Sequence, residues 1–181
     1  MAEFWNPTGP IDHLLVTAPG PCYAPLAGFD LDVARRHVDA RLLLPLQIAR
    51  DAAGKVRPGG TLLFMSGADG RHPAAGSALS AALTAALPAM TRSLALEVAP
   101  VRVNLIAAGP AGTPSSASLP GDSIGERCQQ LRATLPIGRV VGPADIAALA
   151  VHLMTNTAIT GATFDIDGGH AARKGMNAEG P

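Results

Sequence analysis

The sequence predicts an α/β fold in which a mainly parallel sheet lies between layers of helices. Three observations predict it. Short apolar runs bounded by Pro or Gly recur at residues 11–17, 61–65, 101–106 and 163–166, and such runs read as buried strands. Longer segments with apolar residues at helical spacing separate them. Strands that alternate with helices pair in parallel through crossover connections, which gives a layered sheet.

Each element follows from its own residues. The first strand, 11–17, stops at Ala18-Pro19-Gly20-Pro21. A long helix is expected over 31–56, with Asp30 or Asp32 as its cap and Pro58-Gly59-Gly60 as its stop. Pro45 lies inside it and predicts a bend or local break, because it has no backbone donor. The second strand is 61–65. Residues 77–98 form an Ala-rich helix interrupted by Pro88, with a small-residue face suited to close packing. The third strand is 101–106. Residues 109–120, crowded with Gly, Pro, Ser and Thr, predict a loop of the kind that covers a site, and a short helix at 124–134 follows. Pro143 opens a helix over 143–154 at the turn where its missing N–H matters least. The last strand is 163–166.

The chain has 181 residues, enough for one domain, here 1–170, followed by a polar tail at 171–181. Hydrophobic residues make up 48% and aromatics 3%, so the core must be built from Ala, Leu, Val and Ile. Net charge is zero and no basic cluster stands out, which argues against a nucleic-acid partner. Cys22 and Cys128 stand far apart outside any metal or disulfide spacing, and His13, His37, His152 and His170 are scattered, so no metal is expected. No apolar stretch approaches the ~20 residues that cross a bilayer, and no basic-then-apolar leader opens the chain. A cytoplasmic location without membrane attachment is expected.

Four segments, in order, resemble a known family. They are Asp12-His13-Leu14-Leu15-Val16-Thr17-Ala18-Pro19-Gly20, Gly59-Gly60-Thr61-Leu62-Leu63-Phe64-Met65-Ser66-Gly67, Glu97-Val98-Ala99-Pro100-Val101-Arg102-Val103-Asn104 and Asp167-Gly168-Gly169. Together they are similar to the later part of a short-chain dehydrogenase/reductase, from about Ile11 to Gly169. The resemblance implies a Rossmann-like three-layer sandwich lacking the first half of its sheet, and a nicotinamide-dependent oxidoreductase using NAD or NADP. It also implies cofactor contacts at Thr17, Ala18, Gly20, Gly109 and Thr113.

The same resemblance exposes departures. The family's Gly-rich strand–turn–helix, which receives the pyrophosphate, has no counterpart in this sequence, so weak cofactor binding is expected. By register, Ser80 stands where the family has its catalytic Tyr and Thr84 where it has Lys. Arg41 stands at the family's Asn and Gly67 at its Ser, with Ser66 one residue away. A Ser hydroxyl is a poor general acid, and Thr carries no charge to tune one. Tyr23 has no Lys four residues on.

Ser66 remains a candidate for polarising a bound carbonyl at a strand end. Asp69, His72 and Ser77 form the one acid–base–nucleophile grouping, but without a G-x-S-x-G elbow. The resemblance implies homo-oligomers, dimer or tetramer, through the helices at 31–56 and 77–98. The first strand, at a sheet edge, is expected to need a covering partner. Two functions follow: an oxidoreductase of small-molecule substrates with impaired or lost catalysis, or a non-catalytic assembly or regulatory module. A different chemistry using Ser66, Asp69 and His72 is a third.

Overall fold

In the computed structural model, described over residues 9–17, 19–68, 74–109 and 124–172, four strands form one sheet. They are β1 (Ile11–Val16), β2 (Val56–Gly67), β3 (Arg102–Ala108) and β4 (Thr163–Ile166), hydrogen-bonded in sequence order and parallel throughout. The helices are α1 (Leu31–Val38), α2 (Leu44–Ala52), α3 (Ala78–Glu97), α4 (Ile124–Thr134) and α5 (Pro143–Thr155). The expected parallel α/β sandwich is therefore the fold.

Side chains alternate across the central strands and so build two cores. On one face, Leu62, Phe64, Val103 and Leu105 pack with Ala49 and Ala52 of α2 and with Leu87 and Leu94 of α3. On the other, Leu63 and Ile106 pack with Ala150 and Leu153 of α5. β2 and β3 are apolar on both faces because both are covered, as parallel strands require. β1 is an edge strand, and its Leu15 is exposed.

Three elements depart from the sequence expectation. The helix expected over 31–56 ends at Ala52, and a π-helical segment, Asp39–Leu43, interrupts it between α1 and α2. The Leu44 N–H reaches back to the Asp39 carbonyl, five residues away. Pro45 follows immediately; it can neither donate to the carbonyl of residue 41 nor let it approach closely, and a widened turn accommodates both constraints. Asp30, not Asp32, is the cap, accepting from the N–H groups of Asp32 (2.8 Å) and Val33 (3.0 Å). β2 begins at Val56, not residue 61, because Ile11 N–H bonds Lys55 O at 2.9 Å and Val56 pairs with Ile11. Pro58-Gly59-Gly60 is then a bulge within the strand, Gly59 at φ +79°, where a stop was expected.

The third departure is α3. It has 20 residues and contains an 18-residue window with a mean hydropathy of 1.3, the length and composition of a bilayer-crossing helix, where the sequence reading found no such stretch. Its buried face carries Ser80, Thr84 and Thr91 beside Leu83, Leu87 and Leu94, and it rests on the sheet. A polar stripe against a sheet suits a core helix of an α/β domain.

Along β3, Arg102 and Asn104 alternate onto the α5 face. Asn104 is fully buried: its amide donates to Ile159 O (3.0 Å) and its side-chain oxygen accepts from Ala162 N–H (3.1 Å). Arg102 holds the end of α5, donating to the carbonyls of Leu153, Met154, Asn156 and Ile159. Burial lowers its pKa from the ordinary arginine value. Arg102 thus fastens the end of α5, and Asn104 fastens the connection from α5 to β4.

Candidate active site

Parallel strands open a crevice at their carboxyl ends, and the end of β2 brings Ser66 and Gly67 there. Ser66 and Gly67 close β2 opposite Ala107 and Ala108, and the Ala68 N–H donates to Ala108 O at 3.0 Å. A one-residue offset in a strand changes the face, so Ser66 lies on the side of Leu62 and Phe64, under α3, and position 67 on the other. Ser66 is therefore placed against α3, away from the face a side chain at 67 would serve.

Arg41 and Ser80, 39 residues apart in sequence, meet at this edge. Arg41 is 3% exposed in the middle of the π segment, and its Nη1 donates to Ser80 Oγ at 3.4 Å. Ser80 is fully buried, and Thr84, one turn on, is 7% exposed. Ser66 and Thr84 share a cavity of about 210 Å³ between α3 and the ends of β2 and β3.

Thr17 and Gly20 are exposed beyond the end of β1. Ala18, Thr113, Asp69 and His72 lie outside the described residues, as does the tail from residue 173. Ser77 is committed to the turn before α3: its hydroxyl donates to Ala74 O (2.8 Å) and accepts from Ala74 N–H (3.0 Å). The loop that carries Tyr23 is fastened to the same turn by Ala24 N–H to Gly76 O at 2.9 Å. Among the described residues no group of three His, Cys, Asp or Glu is placed to hold a metal.

Gly109 has a structural duty. A Cβ there would stand 2.3 Å from Asp167 Cβ and 2.7 Å from its Cα, so the β3 exit and the turn after β4 touch backbone to backbone. Asp167 in turn accepts from the N–H groups of Gly169 and Ala171, both at 2.8 Å. Gly109→Ala is expected to lower stability by about 1–3 kcal/mol through overpacking. Urea unfolding checks it, and an unchanged midpoint would contradict the close approach.

Two helix N-termini, the usual seats for a phosphate, are occupied by carboxylates of the chain itself. Asp30 caps α1, and the Val33 and Asp32 N–H groups hold its pKa below the ordinary value. At α5, Asp145 accepts two hydrogen bonds from Arg139 (2.6 and 2.8 Å) and one from Gly142 N–H (2.9 Å). The Arg139 hydrogen bond, followed by that of Gly142, lowers the Asp145 pKa to about 2. A carboxylate with a folded pKa below its unfolded value of about 3.9 stabilises fully above that value and loses its contribution as pH falls towards the folded one. Asp145→Asn should therefore melt below the parent protein near pH 6, with the gap closing between about pH 4 and pH 2. Thermal scans across that range test it; a gap that persisted at the acid end would contradict the assignment.

Comparison with known proteins places this geometry in a family. The model of the enoyl-(acyl carrier protein) reductase family matches residues 5–171. The chain belongs to the short-chain dehydrogenase/reductase family. Among relatives, it is 31% identical over 168 residues to the short-chain dehydrogenase/reductase ATR9 of Stachybotrys chlorohalonatus, covering 89% of this chain and 64% of that protein. It is 37% identical over 114 residues to the 2,5-dichloro-2,5-cyclohexadiene-1,4-diol dehydrogenase LinX of Sphingobium indicum, covering 61% of this chain and 44% of that one. Among solved structures, a small-chain dehydrogenase in complex with NADPH superposes with a TM-score of 0.86 at 29% identity, covering 94% of this chain and 78% of the other. The chain thus spans less than two thirds of the length of these two curated relatives.

A nicotinamide dinucleotide is the cofactor that short-chain dehydrogenase/reductase membership suggests. Among the described residues, Gly109 packs against Asp167, the N-termini of α1 and α5 hold carboxylates of the chain itself, and residue 84 is an uncharged Thr.

The sequence missed the Arg41–Ser80 contact and the Ser66–Thr84 cavity. Buried polar residues at 80, 84 and 91 on one helical face were the available signal.

Proposed function

We propose that this protein keeps the scaffold of an oxidoreductase family but carries out hydride transfer poorly or not at all. The observation that carries this reading is Ser80, a fully buried hydroxyl bonded to Arg41 at the place where the family aligns its general acid. General acid catalysis needs a group whose pKa is near the working pH, and an aliphatic hydroxyl is far from it. Thr84 supplies no charge to correct that. NAD or NADP remains the family's cofactor, with a small molecule as substrate, and Thr17, Ala18, Gly20, Gly109 and Thr113 are the residues proposed to meet the cofactor. Calorimetric titration with NADH and NADPH tests the reading. Weak or undetectable heat is expected, and micromolar affinity would speak for a working enzyme.

A second reading, a homo-oligomeric assembly or regulatory module in the cytoplasm, is favoured by exposed apolar side chains on the first helical rod. Leu43 is 49% and Leu46 40% exposed. The helices at 31–56 and 77–98 are the proposed contact surfaces. Light scattering separates the outcomes: a dimer or tetramer supports assembly, and a monodisperse monomer rejects it.

A further inference from the structure

β1 is open along its edge and on one face. It is hydrogen-bonded to β2 on one side, and among the described residues no strand lies on the other. An outward row of backbone N–H and C=O groups is a template for a further strand. Leu14 and Val16 pack with the core beside α2, whereas His13 and Leu15 are exposed on the opposite face. Leu15 is 38% exposed although Leu63, its partner in register, is fully buried. The cause is the reach of α5, which packs on β2 and β3 and not closely on β1.

Side-chain pattern decides which strand fits this edge. A foreign peptide added to a sheet is selected by pockets for its alternate side chains. Among the described elements no helix packs closely over β1 to wall such pockets. The strand is instead its own complement. In an antiparallel pair about a two-fold axis, opposite residues share a face, so the axis passes at a residue. With the axis at Leu15, Leu15 meets Leu15 of the second copy, Leu14 meets Val16, and His13 meets Thr17. Apolar side chains then oppose apolar ones on both faces. Asp12, paired with Arg57 at 2.7 Å, stands six residues, or ~20 Å, from its symmetry mate along the strands, beyond the ~8–10 Å over which surface charges act. An axis at His13 would set two imidazoles together and press the Asp12 carboxylate against Leu14, which disfavours that register.

We propose that β1 is a dimerisation edge: two copies of this chain join their sheets antiparallel through residues 13–17, across a two-fold axis at Leu15. This interface is separate from the helical surfaces at 31–56 and 77–98 and rests neither on them nor on the reading of Ser80.

Sedimentation and light scattering of the full chain over a range of concentrations test it. The parent is expected to move from 18.3 kDa towards twice that mass as concentration rises. Leu15→Lys places on the edge a charge of the kind that keeps natural edges apart, and should weaken association by about tenfold or more. Residue 15 is already partly exposed, so the variant should keep the circular dichroism spectrum of the parent. A covalent trap gives a second measurement. Leu15→Cys in a Cys22→Ser, Cys128→Ser background should form a disulfide-linked dimer on mild oxidation, because opposite residues of an antiparallel pair lie about 4.5–5.5 Å apart, within disulfide range. A monomer at every concentration, or a Leu15→Cys chain that stays uncrosslinked, would overturn the proposal. Association weakened by Leu43→Lys but not by Leu15→Lys would also overturn it and assign the contact to the helical surfaces.

Discussion

Arg102→Met is expected to destabilise the protein by about 2–4 kcal/mol, because it leaves several buried carbonyls without a donor, at about 1–3 kcal/mol for each that stays unsatisfied. The guanidinium reaches six acceptors: the carbonyls of Gly59, Leu153, Met154, Asn156 and Ile159, and the Thr61 hydroxyl. Carbonyls at the C-terminus of α5 have no intrahelical donors, and Arg102 supplies them. The charge also complements the negative end of the helix. Met keeps most of the aliphatic volume, so the loss isolates the polar contacts from packing. Arg102→Lys should recover only part of the stability, because a single ammonium cannot span acceptors on both sides of a planar fork. Chemical denaturation of the parent and both variants measures this. A Met variant within 1 kcal/mol of the parent, on the order of an ordinary surface substitution, would contradict the anchoring role.

Carbonyl reduction is expected to fall short of a working family member by at least about 10²–10⁴-fold, the usual share of general acid–base catalysis. Ser80→Tyr with Thr84→Lys, which would write the family's pair into this chain, should not restore turnover. Residue 80 is fully buried against Arg41, and a phenol ring there overpacks a closed site. A cost of about 1–3 kcal/mol in stability is expected from that strain. Steady-state assays with NADPH and NADH over simple ketones and aldehydes check the first statement, and denaturation of the double variant checks the second. Rapid turnover by the double variant would show that the site had stayed open.

Most of the fold was legible because each layer writes its own pattern. β2 and β3 are apolar on both faces and sit between helices, so continuous apolar runs marked them. Pro143 marked the start of α5 for a local reason that tertiary structure did not override. The π segment was not legible. It arises from the meeting of Pro45 with a helix that must bury Arg41, and periodicity alone cannot distinguish a widened turn from a bend. The early half of β2 was hidden because Pro58-Gly59-Gly60 reads as punctuation, whereas pairing with β1 keeps it in the sheet. At the site, the meeting of Arg41 with Ser80 and the nearness of Ser66 to Thr84 depend on how the π segment turns and on which face of β2 meets α3. That is a property of packing, and a strand's neighbours decide it.

Among all these tests, transfer of deuterium from 4-deuterated NADPH to a ketone, read as labelled alcohol by mass spectrometry, bears most directly on whether the scaffold has kept its chemistry. With the protein in excess, expected is no labelled alcohol above the protein-free control. Stoichiometric labelled alcohol together with NADP⁺ would contradict the assignment of Ser80 and Thr84 as non-functional replacements.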